Sequence, residues 1–153
     1  MIFDSFSQTN RILTDLQLYY DFEELTRDKS GKNHKGKIHG TIDQKSGIVG
    51  KAGHFDGETT GIELGIQIDA VNTFMHDESS AKTFECLFKA DSVKGKRVLF
   101  NEGGAAKGFT LRIENETLRL STMVDGEFSI IEGEFSDTEN WHHVVAVFDQ
   151  LSR

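Results

Sequence analysis

Gly108-Phe109-Thr110-Leu111-Arg112-Ile113 is followed, across Glu114-Asn115-Glu116, by Thr117-Leu118-Arg119-Leu120-Ser121-Thr122-Met123-Val124. Apolar and polar residues alternate through most of both runs. A period of two puts every second side chain on one face of an extended chain, so each run reads as a half-buried strand. Asn115-Glu116 between them reads as a hairpin turn, and Asp125-Gly126 after the second reads as another. The pattern continues outward in short pieces cut by Gly, Asn, Asp or Ser. Phe84, Cys86 and Phe88 alternate with polar neighbours, while Leu87 breaks the alternation and predicts burial on both sides of that strand. Ile62, Leu64, Ile66 and Ile68 alternate with Glu63, Gly65, Gln67 and Asp69. Residues 16–22, 37–42, 97–100 and 128–131 read as further β-rich runs, 52–57 as a strand ending in an Asp-Gly turn, and 47–53 as a turn. Residues 141–148 read as an apolar central strand. The sum is an all-β sandwich or barrel with no long helix, no internal repeat and no Pro.

At 153 residues the chain has the size of one domain. Residues 1–15 read as a lead-in, irregular or briefly helical, because Ser7-Gln8-Thr9-Asn10 supplies capping residues before Ile12, Leu13 and Leu16; residues 16–153 form the domain. A composition of 37% hydrophobic and 27% charged residues argues against disorder and against a membrane class. The twelve Phe, many alternating with polar residues, suit the inner faces of stacked sheets. The formal net charge of −8 argues against nucleic acid, whose binders show an excess of Lys and Arg.

That charge is uneven. Arg27, Lys29, Lys32, Lys35, Lys37, Lys45 and Lys51 crowd the first third, whereas Glu114, Glu116, Asp125, Glu127, Glu132, Glu134, Asp137 and Glu139 dominate the last. Two solvated faces of opposite sign account for this, with a site for an acidic ligand on the basic part as the other reading. Cys86 is the only cysteine, which removes any intrachain disulfide, and its setting is that of a small buried hydrophobe. No apolar run approaches the roughly 20 residues of a membrane span, so insertion is not expected. The first residues lack the pattern of a secretory signal. Of the two placements this allows, cytoplasmic or part of a longer extracellular or cell-surface chain, the second is the expectation.

Residues 27–36, Arg-Asp-Lys-Ser-Gly-Lys-Asn-His-Lys-Gly, are too polar and glycine-rich for an element interior and read as a loop of a length that often carries function. Leu18-Tyr19-Tyr20-Asp21-Phe22-Glu23-Glu24 with Asp28-Lys29-Ser30-Gly31 and His34-Lys35-Gly36, then Gly50-Lys51-Ala52-Gly53-His54-Phe55-Asp56-Gly57, then Thr83-Phe84-Glu85-Cys86-Leu87-Phe88, and finally Asn140-Trp141-His142-His143-Val144-Val145-Ala146-Val147-Phe148-Asp149 stand in one order along most of the chain. Taken together they resemble the laminin-G-like jelly-roll domains of the concanavalin A-like lectin and glucanase superfamily. The resemblance implies an antiparallel two-sheet β-sandwich of the jelly-roll kind, with a turn and at least one further strand after the tryptophan strand that this sequence does not show. That strand could come from the lead-in segment, from another copy of the chain or from residues outside this sequence, and an open sheet edge invites a homodimer or strand exchange.

The resemblance also implies a calcium ion near the Asp-x-Ser-Gly loop and the Phe-Asp-Gly turn, where hard cations take oxygen ligands. The candidate ligands are Asp28, Asn33, Asp56 and Asp149. Lys29, Lys32 and Lys35 weaken the field at Asp28, and a purely turn-forming role for these residues competes with the metal role. His142 and His143 are adjacent in a strand, point to opposite faces and cannot chelate one metal together. Glu114 with Glu116, and Glu132 with Glu134, have the alternate spacing of a glycosidase pair but lack a third acid and aromatic surroundings, so no catalysis is expected. A sugar site needs a flat ring beside hydrogen-bonding groups, for which Tyr19 or Tyr20, His34, His54, His76 and Asn101 are available. The expected function is a non-catalytic carbohydrate-binding module, with a protein-interaction or structural module as the alternative and a glycoside hydrolase as a distant third.

Overall fold

The computed structural model describes residues 16–64, 81–103, 107–124 and 126–149. The chain divides into two compact units, residues 1–74 and 75–153. Among the described residues there is no helix, and every strand pairing is antiparallel. The expected lead-in of residues 1–15, Ile66, Ile68, His76 and Asp125 lie outside the described residues.

The first unit holds four short strands. β1 (Gly36–His39) pairs with β4 (Gly61–Leu64), and β2 (Asp43–Ser46) pairs with β3 (Lys51–His54). Residues 16–22 were expected to be a strand and are not one. Their backbone bonds go to the following loop instead: the Tyr19 N–H donates to Asp28 Oδ1 at 3.0 Å, and the Tyr19 carbonyl accepts from the Lys29 N–H at 2.8 Å. Phe22 then turns the chain with φ of 60°, a left-handed conformation uncommon for so bulky a residue. Gly36 opens β1 where nothing larger fits, since a Cβ there would lie 2.3 Å from Ile62 Cγ2 and 2.9 Å from the Tyr20 hydroxyl. The turn expected over 47–53 is shorter: the Gly47 N–H donates to the Gly50 carbonyl at 2.9 Å, and β3 begins at Lys51. β2, Asp-Gln-Lys-Ser, has no apolar residue, and hydrophobic alternation could not reveal it.

The second unit carries the larger core. β5 (Ala81–Phe88) pairs with β10 (His142–Asp149), while β6 (Lys96–Gly103), β7 (Lys107–Glu114), β8 (Thr117–Val124) and β9 (Glu127–Glu134) form a four-stranded meander in that order. The β7–β8 hairpin turns where its sequence says, on Asn115 and Glu116, with φ of 48° and 63°. Backbone N–H groups of these two residues donate to the carbonyls of Gly95 and Val93, both at 3.0 Å, which ties the turn to the segment before β6. Phe109, Leu111 and Ile113 of β7 are buried, Leu111 and Ile113 at 2% and 1% exposure.

β5 and β10 meet the meander through side chains. Ile113 packs in a cluster with Phe88, Ala90 and Val93, joined by Cys86, Leu99, Leu118, Phe135 and Val144. The Phe84 and Phe100 rings stack with centroids 4.4 Å apart, a contact worth about 1 kcal/mol beyond the area it buries. Two expectations fail on the opposite face of the β5/β10 pair. Leu87 is exposed rather than buried on both sides, because it points away from the core opposite His143. β10 is not central among the described strands: it has β5 as its one hydrogen-bonded neighbour, and Val145 and Val147 are at least half exposed.

Candidate ligand-binding surface

On the meander, the residues that alternate with the buried set make a second face. From β6 to β9 the register places Asn101, Thr110, Ser121 and Ile130 in one row and Val98, Arg112, Arg119 and Glu132 in the next. The Thr110 hydroxyl donates to Asn101 Oδ1 at 2.7 Å, and Arg112 Nη1 reaches Ser121 Oγ at 3.4 Å. Arg112 and Arg119 stand directly opposite each other, which alone would be repulsive. Two glutamates resolve it. Arg112 Nε donates to Glu114 Oε2 at 3.1 Å, Arg119 Nη1 donates to the same oxygen at 3.0 Å, and Arg119 Nε donates to Glu132 Oε2 at 2.8 Å. The hydrogen bond from Arg112 holds the Glu114 carboxyl below its ordinary range, the reverse of what a general acid needs. Beside these rows Phe128 pairs with Met123 in register and is 69% exposed, with Ile130 and Val98 also open to solvent.

The face is thus a plane of fixed donors and acceptors bordered by an exposed aromatic ring. Of the residues expected to contact a sugar, Asn101 lies on it. Tyr19 is the outward member of the tyrosine pair, whereas Tyr20 is half-buried and donates its hydroxyl to the His34 carbonyl at 2.7 Å. Burial pushes the Tyr20 phenol above its usual pKa. Sequence reasoning passed over Arg112, Arg119 and Phe128 as ligand-facing groups, while Ser121 is buried beneath Arg112. The signal was there, since those three occupy the polar or outward positions of strands whose inward positions were legible.

The four residues expected at a calcium site lie in three places. Asp28 and Asn33 share the 27–36 loop, Asp56 is in the turn after β3, and Asp149 ends β10 opposite Ala81. Asp28 accepts from the Tyr19, Ser30 and His34 N–H groups at 3.0, 2.8 and 2.9 Å, and from the Ser30 hydroxyl at 2.8 Å. Asp56 Oδ1 accepts from the N–H groups of Glu58, Thr59 and Thr60, each at 2.9 Å, and from the Thr60 hydroxyl at 2.8 Å; its other oxygen accepts from the Thr59 hydroxyl. A cation would have to displace the donors on Asp28 and on Asp56 Oδ1, whereas Asp56 Oδ2 accepts one hydrogen bond only. Among the described residues no group of three or more His, Cys, Asp or Glu side chains is arranged to hold a metal.

Partial burial pushes the Asp28 carboxyl up, but the N–H groups of Ser30 and His34, the Ser30 hydroxyl and the Tyr19 N–H outweigh it and hold the pKa down at about 2. A depressed carboxylate stabilises the fold above its unfolded pKa and loses that contribution as pH falls toward the folded value. The melting temperature should therefore drop between about pH 4 and about pH 2. Comparing it with that of Asp28→Asn across the range isolates this residue: the gap should be widest above pH 4 and close by pH 2. A gap independent of pH would remove the ionised carboxylate from the account.

The other titratable groups are placed by the β5/β10 pair. Cys86 is half-buried in the core cluster, and burial pushes its thiol up to about 11, far from a nucleophile's range. His142 and His143 face opposite ways. His142 packs against Phe88 and Phe135 with Nε2 3.2 Å from Asp137 Oδ2 but off the hydrogen-bond direction, while His143 Nε2 meets Glu85 Oε1 at 2.7 Å. No family model, curated protein or solved structure matches the chain.

Proposed function

We propose that the chain is a laminin-G-like jelly roll, an antiparallel two-sheet sandwich, that works as a non-catalytic glycan-binding module of a longer extracellular or cell-surface protein. The observation that carries this reading is the outer face of the meander, where Asn101, Thr110, Arg112 and Arg119 lie in register beside exposed Phe128. A sugar ring offers an apolar face and a rim of hydroxyls. An exposed ring answers the first, and side chains already fixed by their neighbours answer the second at little entropic cost. Glu114 and Glu132, the acids a hydrolase would use, are instead both held by Arg119. The reading needs no cation at Asp28 or Asp56.

Binding of the purified chain to a broad array of immobilised glycans, with calcium in one arm and a chelator in the other, tests this. Glycans retained in both arms are expected, and Phe128→Ala should weaken them about tenfold, near 1.4 kcal/mol. Retention that vanishes with the chelator would restore a metal. No retention in either arm would remove the glycan reading for the sugars presented, and retention indifferent to Phe128→Ala would move the site off this face.

A further inference from the structure

We propose that a strip between β9 and β10 receives an extended segment of a partner protein, which adds as a strand to the edge of β10 and carries aliphatic side chains alternating with Lys or Arg. The starting point is Ile131. In register it lies beside Leu120, which lies beside Leu111, so it belongs to the core-facing side of the meander. Leu111 is 2% exposed and Ile131 is 71% exposed.

The cause is a mismatch in strand number among the described residues of the second unit. β5 reaches β6 through Phe84 on Phe100 and through the Lys82–Glu102 ion pair, and Val144 of β10 joins the cluster that contains Leu118 of β8. β9 contributes no residue to that cluster. A groove of about 280 Å³ is left, with Leu120, Ser129 and Ile131 on one wall and Val147, Phe148 and Asp149 on the other. Strands in a sheet lie about 4.8 Å apart and facing sheets about 10 Å apart, so one more strand on the β10 edge would lie over β9 and cover Ile131. Main-chain hydrogen bonds to β10 would supply affinity, and alternate side chains would enter the groove.

The walls also set the partner's chemistry. Glu127 lies on the same face of β9 as Ser129 and Ile131, Asp149 lines the opposite wall, and residues 126–149 contain no Lys or Arg. A basic strand is attracted to both sides of the groove, and an acidic one is repelled. A second folded copy is a poor occupant. To bring its own β10 alongside, it would drive its projecting β9 into the space that β9 of the first copy already fills. Pairing β9 with β9 across a two-fold axis between Ile130 and Ile131 sets Glu127 opposite Glu134, twice. A single extended segment meets neither obstacle.

The test uses a fluorescent, end-capped nonapeptide, Lys-Val-Thr-Ile-Lys-Val-Thr-Val-Lys, and the same peptide with Glu for each Lys. Anisotropy titrations with the whole chain should show saturable binding of the basic peptide, at least about tenfold weaker for the acidic one and weakened several-fold by about 0.5 M salt. Ile131→Lys should cost the basic peptide about tenfold or more, Phe128→Ala on the opposite face should not, and backbone amides of residues 142–149 should exchange more slowly in the complex. Equal binding of the two peptides, or binding indifferent to Ile131→Lys, overturns the proposal. Two results without peptide overturn it in favour of another occupant. Slow exchange of those amides together with a lowered melting temperature for Ile131→Lys would mean that residues of this chain already fill the groove, and a concentration-dependent mass in sedimentation would mean that a second copy does. Because the glycan face and the groove lie on opposite sides of the meander, either can fail while the other stands.

Discussion

Ile113→Ala should lower the free energy of unfolding by about 3 to 4 kcal/mol. Among the described residues Ile113 is the large side chain most completely withdrawn from solvent, and it packs with Phe88, Ala90 and Val93, which come from β5 and the segment after it. Shortening it removes transfer free energy and leaves a void whose lining comes from two sheets, so the walls cannot collapse on it without moving strands. Against a total of about 5 to 15 kcal/mol for an ordinary domain, the loss is a large fraction. Urea unfolding followed by the fluorescence of Trp141, the only tryptophan and a member of the same unit, measures it directly. Ile130→Ala, on the exposed face of β9, serves as the control and should change stability by less than about 0.5 kcal/mol. A cost under about 1 kcal/mol for Ile113→Ala would mean that the β5/β10 pair is not packed on the meander.

Lys82→Ala should cost about 2 kcal/mol, for a different reason. Lys82 lies on the inner face of β5 and reaches Glu102 on β6, with side chains 26% and 11% exposed. Glu102 stands in register opposite buried Phe109, so removing the lysine leaves a carboxylate with little water and no cation. Breaking one half of a buried pair costs about 3 to 5 kcal/mol, and the partial exposure here lowers that figure. Replacing both residues by leucine should recover most of the loss, because a matched apolar pair needs no desolvation offset. A double-mutant cycle by urea unfolding decides the matter: additive single costs would show that the two charges act independently.

β5 and β7 were legible in the sequence because each buries one face, so that Phe84, Cys86 and Phe88, or Phe109, Leu111 and Ile113, recur at every second position. β2 was not legible, because Asp43-Gln44-Lys45-Ser46 buries nothing and is held by its pairing with β3 and by the Gln44 amide, which donates to the Phe22 and Glu23 carbonyls. Residues 16–22 misled in the opposite direction. Leu16, Leu18, Tyr20 and Phe22 have the right spacing for a strand, but Asp28 captures the Tyr19 N–H and diverts the backbone into the loop. Local alternation carries no information about a carboxylate nine residues away. The outer face of the meander was half visible: the polar positions could be counted, but that Glu114 lies between two arginines depends on the register of β7 and β8. Leu87 and β10 failed for a related reason, since hydrophobicity shows that a face can be buried and not whether another element arrives to bury it.

The two kinds of pairing in the second unit also differ in the stretch of chain they must gather. β6, β7 and β8 each pair with the next strand along the sequence, whereas the contact between Glu85 and His143 joins residues 58 apart. Closing a long loop costs entropy before any contact repays it, and non-local pairings slow folding. The meander can zip from its own turns, with Asn115 and Glu116 already set for the central one, while β5 waits for β10 to be released and return. The rate of reaching the native state then depends on the last strand made, so changes within β10 should act on folding speed out of proportion to the few residues it contains.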